Sequence, residues 1–168
     1  MKRLVVEAAE EADTTVLGAA LGTLLPAGTT VALCGTLGSG KTRLAQSVAE
    51  ALGVPRGSVV SPTFVLVQEH QGRRPLYHFD AYRLADADEF LQLGPEEYFD
   101  GVGLTLVEWA DRVADCLPEE RVEVHIEVIG ETARRFEILA VGSRFEPVLA
   151  RIAARMARGE RREADGER

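Results

Sequence analysis

The sequence predicts an α/β domain of three layers, with a mixed, largely parallel sheet between helices and an antiparallel hairpin at its edge. Three patterns predict it. Apolar strands alternate with helical segments through the earlier part of the chain, as in sheets whose parallel neighbours are joined by helical crossovers. The run Thr30-Val31-Ala32-Leu33-Cys34 is β-branched, apolar and broken by glycines after it, which reads as a strand buried on both faces. Further on, residues 122–128 and 136–141 alternate around a Gly130 turn, the period-two pattern of a hairpin.

The elements follow in order. Residues 3–6 read as a short strand. Asp13 or Thr14 caps an alanine- and leucine-rich helix ending near Leu25, with Pro26 and Gly28 as stop signals. After the strand at 30–34, residues 41–52 read as a helix with Leu44, Val48 and Leu52 on one face, ended by Gly53 and Pro55. Residues 57–63 are a loop. Residues 64–69 and 76–80 read as strands joined by a turn at 71–74. Residues 86–99 form two short helices split around Gly94-Pro95. Residues 104–108 are a buried strand and 110–115 a short helix. Beyond the hairpin, Phe145, Val148, Leu149, Ile152 and Met156 fall at helical spacing across 144–157. Residues 158–168 carry almost no apolar side chain and read as a disordered tail. The expected organisation is one domain over 1–157 followed by that tail.

Composition bounds the function. The 168 residues are 46% hydrophobic and 27% charged, enough to bury a core without staples. Cys34 and Cys116 are too few for a disulfide framework and form no CxxC motif; they read as small buried side chains in a reducing compartment. The chain reaches Glu7 too soon for a signal-peptide apolar region. No apolar run approaches the roughly 18 residues of a membrane span. A cytoplasmic location away from membranes is therefore expected. The net charge of -8 opposes direct binding to nucleic-acid phosphates, so any role in a nucleic-acid pathway should run through a partner.

One motif carries chemistry. Gly35-Thr36-Leu37-Gly38-Ser39-Gly40-Lys41-Thr42 fits the G-x-x-x-x-G-K-[ST] spacing in full, between a predicted strand and a predicted helix. The glycines permit backbone angles that a Cβ would forbid, so successive amides can turn onto one anion. The helix that follows adds its positive dipole end. Lys41 reaches the β- and γ-phosphates as a point charge, and the Thr42 hydroxyl is a magnesium ligand. Of nineteen basic residues only Lys2 and Lys41 are lysines. A planar guanidinium does not replace a slim ammonium between phosphates. The motif extends the prediction to a P-loop NTPase fold.

Such a site needs acidic residues at strand ends to hold the metal shell and orient water. Glu108 and Asp80 each end a predicted strand. Glu108 is favoured near the metal; Asp80 is a second metal-shell group or a base that orients water. Thr63, in the Ser61-Pro62-Thr63 loop, sits where nucleotide switches often sense the γ-phosphate, or in a simple turn. His78, inside an apolar strand, reads as structural. Trp109 is either a core or interface aromatic or a wall of the nucleotide site. Guanine-specific switches use Asn-Lys-x-Asp; the chain has no asparagine and no lysine to spare. ATP is the expected nucleotide.

The motif, together with Ser61-Pro62-Thr63-Phe64, His78-Phe79-Asp80-Ala81-Tyr82-Arg83-Leu84, Leu93-Gly94 with Glu97-Tyr98-Phe99, and Val107-Glu108-Trp109 with Leu117-Pro118, resembles the TsaE (YjeE) family of bacterial ATPases. The resemblance covers roughly residues 10–142. It implies a P-loop fold that binds ATP with magnesium and hydrolyses it slowly alone. It implies TsaB and TsaD proteins as partners, which transfer a threonylcarbamoyl group to adenosine 37 of tRNAs reading codons that begin with A. Hydrolysis resets or licenses that complex, and tRNA is met only through it. By motif, Lys41 and Thr42 hold phosphate and metal, Glu108 joins the metal shell, Asp80 serves hydrolysis, Thr63 falls in the switch-like segment, and Trp109 lies near the nucleotide or the partner. Thr14 and Arg134 line the nucleotide. Thr36 stands where the family usually has an acidic residue, and Arg43 where a second threonine is common.

Two other readings compete. A small-molecule kinase would need an arginine-bearing lid, for which only Arg73 and Arg74 offer themselves; they read better as a solvated hairpin tip. A non-hydrolysing nucleotide sensor would be indifferent to loss of Asp80.

Overall fold

The structure is a computed structural model that describes residues 2–60 and 66–166. Seven strands form one sheet: β1 (Arg3–Ala8), β2 (Thr30–Gly35), β3 (Val67–Gln71), β4 (Pro75–Asp80), β5 (Leu104–Glu108), β6 (Arg121–Val128) and β7 (Arg134–Val141). Their spatial order is β1-β7-β6-β2-β5-β4-β3. β6, β2, β5 and β4 run parallel, while β7, β1 and β3 pair antiparallel. The mixed sheet is as expected, except that both edges, not one, are antiparallel. β3 ends two residues later than the sequence suggests because Gln71 pairs with Pro75, which confines the turn to residues 72–74; residues 64 and 65 of the expected strand lie outside the described residues. That turn lies against the helix before it: a Cβ on Gly72 would meet the Leu52 carbonyl oxygen at 2.4 Å.

Strand parity sorts the side chains. Val31 and Leu33 on β2, Leu104 and Leu106 on β5, and Leu76 on β4 face one way. They pack with α1 (Glu11–Leu24), α2 (Lys41–Ala51) and α5 (Glu146–Gly166) in the larger core. Ala32, Phe79 and Val107 face the other way, under α3 (Ala87–Gln92), α4 (Glu96–Phe99) and a 3-10 helix (Ala110–Cys116). These are the three layers. Parity also sends the side chains of His78, Asp80 and Glu108 toward the α2 side, which is where the loop before α2 needs them.

Two helix boundaries differ from expectation. α1 starts at Glu11, and Asp13 is its third residue rather than its cap: the Asp13 carboxylate accepts from the Ala9 and Glu10 amides at 2.8 and 3.1 Å, the reciprocal arrangement of a capping box. α5 continues to Gly166, past residue 157. No proline interrupts that stretch, and Ala, Arg and Glu are strong helix formers, so the absence of an apolar face does not end the helix. α1 and α2 pack closely at Gly18, where a Cβ would meet Ser47 Cβ at 2.3 Å.

Candidate functional site

The turn from β2 into α2 is built around two left-handed glycines, Gly38 (φ 77°) and Gly40 (φ 109°). Gly40 is the N-cap of α2 and gives no side-chain cap. The first amides of α2 are thus left to a ligand or to solvent, the arrangement that favours an anion. Gly35 admits no side chain either: a Cβ there would meet Ser39 Oγ at 2.5 Å and the Ile126 carbonyl at 2.9 Å.

Lys41 crosses this loop from inside and is only 5% exposed. Its ammonium donates to the Gly35 carbonyl at 2.7 Å and the Thr36 carbonyl at 2.9 Å, and lies 3.4 Å from Ser39 Oγ. It also sits 3.8 Å above the centre of the Trp109 ring. Burial holds its pKa below the ordinary lysine range, while Glu108, Asp111 and Asp80 pull the other way. Thr36 contributes its backbone oxygen here, so the residue type at that position does not enter this contact.

Asp80 and Glu108 end adjacent parallel strands and are register partners. Both are buried, at 7% and 2% exposure. The Thr42 hydroxyl, one residue past Lys41, lies 3.0 Å from each Glu108 carboxylate oxygen. Asp80 accepts a 2.9 Å bond from the Tyr82 amide. Burial nevertheless raises the Asp80 pKa, with Glu108 adding to the rise and the Tyr82 amide opposing it. One hydroxyl, two carboxylates and one ammonium thus face the loop mouth. Lys41, Thr42 and Glu108 bound a hollow of about 210 Å³ with Leu37 and Trp109; Asp80 sits beside Glu108 on the next strand, outside that lining.

Trp109 adopts φ 57°, the only positive φ of a non-glycine among the described residues. A tryptophan there costs about 1–2 kcal/mol. The conformation turns the chain sharply from β5 into the 3-10 helix and lays the indole against both the Lys41 ammonium and the Tyr82 ring, whose centroid is 4.8 Å away. The ring is thus a wall of the site.

Thr14 and Arg134 line a neighbouring hollow of about 250 Å³, with Glu10, Glu11, Arg43 and Thr132. The two hollows share Gly40 and Arg43. Arg134 braces the loop itself, donating from Nε to the Ser39 carbonyl at 2.9 Å. Arg43 binds Thr15 Oγ1 at 2.8 Å, tying α2 to α1. The reading of Thr63 lies outside the described residues.

The sequence reading missed one member. His78 is fully buried and its Nε2 lies 2.9 Å from Glu108 Oε1. Its position two residues before Asp80 on the same strand face was the available signal. Arg73 is exposed, as expected of a hairpin tip, with its guanidinium reaching the Ala51 carbonyl; Arg74 is half-buried and donates to the Gly22 carbonyl at 2.6 Å. They hold the turn to the C-terminal ends of α2 and α1, where carbonyls welcome cations. Cys34 is half-buried, and burial, with Asp111 and Glu123 adding to it, pushes its thiol up to about 11, which favours the protonated thiol at neutral pH.

Residues 8–136 match the family described as "Threonylcarbamoyl adenosine biosynthesis protein TsaE". The chain is 39% identical over 147 residues to the tRNA threonylcarbamoyladenosine biosynthesis protein TsaE of Bacillus subtilis, covering 87% of this chain and 91% of that protein. It is 38% identical over 126 residues to the protein of the same name from Treponema pallidum, covering 75% and 93%. The crystal structure of Bacillus subtilis YdiB is similar with a TM-score of 0.77 at 32% identity, over 91% of this chain and 95% of that one.

Proposed function

The chain belongs to the TsaE family, and from that premise we propose that it is the magnesium-dependent ATPase of tRNA threonylcarbamoyladenosine biosynthesis. It acts with TsaB and TsaD proteins, and its hydrolysis of ATP resets or licenses the complex that modifies adenosine 37 of tRNAs reading codons that begin with A. It works in the cytoplasm and meets tRNA only through those partners. No described helix is long and apolar enough to cross a membrane.

The observation that carries the reading is the placement of Lys41, Thr42 and Glu108 at one loop mouth. The donor set suits magnesium: a hydroxyl and carboxylates are hard oxygen ligands. No cluster of three or more acidic, His or Cys groups among the described residues could hold a metal unaided. Magnesium commonly takes one or two protein ligands and completes its shell with phosphate and water. Thr42 and Glu108 would hold it, with Asp80 beside them. When bound, it supplies positive charge to the β- and γ-phosphate oxygens.

The chain's own groups do the rest. The amides from Gly38 to Lys41 cradle the phosphates. The Lys41 ammonium exchanges the carbonyls of Gly35 and Thr36 for β- and γ-phosphate oxygens. Asp80, made more basic by burial, orients the attacking water and takes its proton as the γ-phosphate departs. Trp109 covers Lys41 and keeps the charged groups in a low-dielectric setting, which strengthens them. Thr14 and Arg134 line the adjoining hollow that takes the nucleoside.

The test is calorimetric titration with ATP, with and without magnesium, followed by turnover measured alone and with the TsaB–TsaD pair. Magnesium-dependent binding and stimulated phosphate release are expected. Turnover indifferent to the pair would refute the proposed role.

A further inference from the structure

We propose that His78 is a positioning residue that sets the Glu108 carboxylate for its metal; this rests on the ATPase reading above. His78 is fully buried on β4, with Glu108 on the neighbouring strand β5. A carboxylate only accepts, so the 2.9 Å contact requires the proton on Nε2. The other ring nitrogen, Nδ1, is buried and has no hydrogen-bond partner among the described residues. Gln68, the register partner of His78 across the β3–β4 ladder, has its Oε1 bare as well.

The bare nitrogen gives the direction of control. A histidine kept only for packing would find partners for both nitrogens or be replaced by an apolar residue, because a buried lone pair without a donor is unfavourable. Here the ring is fully buried and, among the described residues, its one side-chain hydrogen bond is to Glu108 Oε1. The Thr42 hydroxyl is equidistant from both Glu108 oxygens, at 3.0 Å, and so does not choose between them. His78 does choose: it engages Oε1 and leaves Oε2 the freer oxygen beside Thr42. The order Gln68–His78–Glu108–Thr42 runs from the outer strand β3 to the first turn of α2. A second-layer donor of this kind typically governs metal affinity by tenfold or more.

The experiment compares wild type, His78→Leu and His78→Gln by ATP titration in magnesium and in EDTA. Leucine removes the donor and keeps the bulk; the glutamine amide can present an N–H near the Nε2 position. Expected for His78→Leu is a loss of roughly tenfold in the magnesium-dependent gain in ATP affinity. Binding in EDTA should stay within about twofold, and His78→Gln should recover most of the gain. A His78→Leu protein with the full magnesium gain overturns the inference alone. A wild type with no magnesium gain overturns the proposed function and this inference with it. Should His78→Leu fail to fold, the tautomer of wild-type His78, read by long-range nitrogen–proton NMR on the ligand-free protein, decides. A proton on Nε2 supports the proposal, and one on Nδ1 overturns it.

Discussion

Replacing Lys41 with alanine tests the site most directly. The ammonium is almost fully buried and makes two short bonds to loop carbonyls, at 2.7 and 2.9 Å. On ATP binding it trades those neutral acceptors for charged phosphate oxygens, so only the difference counts toward affinity. A charge-assisted hydrogen bond contributes about 1.5–3 kcal/mol net. With a gain of that size beyond the carbonyl bonds given up, Lys41→Ala should weaken ATP binding roughly 10- to 150-fold, at 1.4 kcal/mol per decade. Stability should move far less. The substitution removes a partner from two carbonyls but also removes a desolvated cation, so the net change should stay within about 1 kcal/mol. Calorimetric titration with magnesium-ATP and a thermal melt of the free protein measure both quantities. Affinity within about threefold of wild type, or a variant that does not fold, would refute the reasoning.

Further expectations follow from the same geometry. Thr42→Ala should remove most of the magnesium-dependent gain in ATP affinity, and Thr42→Ser should keep it, since only the hydroxyl meets Glu108; metal titrations at fixed nucleotide read the difference. Asp80→Asn should abolish stimulated turnover while raising the melting temperature at neutral pH. Burial raises the Asp80 pKa in the folded state, so stability from this group is present at low pH and declines as pH rises above the unfolded value. The melting advantage of the asparagine variant should therefore shrink below about pH 4, as melts across pH will show. Gly18→Ala should destabilise the fold by about 1–3 kcal/mol in denaturant titrations, because its Cβ would collide with Ser47 at 2.3 Å.

Much of the fold was legible because its signals are local. The buried run at β2, the glycines after it and the alternating hairpin at β6 and β7 each depend on neighbours within a few residues. The boundaries that moved were settled by distant contacts. β3 runs on to Gln71 because its register with β4 and the Gly72 approach to Leu52 dictate the turn. Asp13 looked like a cap, and only the path of Ala9 and Glu10 makes it the third residue of a capping box. The site divides in the same way. Lys41 and Thr42 came from spacing, but His78 passed as a core residue because an apolar strand conceals which polar partner waits across the sheet.

By itself the sequence determined the α/β class, the strand–loop–helix that carries the phosphate motif, and the candidacy of Asp80 and Glu108 at strand ends. Those features follow from side-chain periodicity and backbone permissiveness, which belong to short stretches of chain. Only the tertiary structure decided that Glu108 meets the Thr42 hydroxyl and His78, that the indole of Trp109 covers Lys41, and that Arg134 braces the loop from β7. Those contacts join residues 30 to 96 positions apart. They exist because the sheet sets β5 between β2 and β4 on one side, and β6 and β7 beside β2 on the other, an order that no local pattern in the chain spells out.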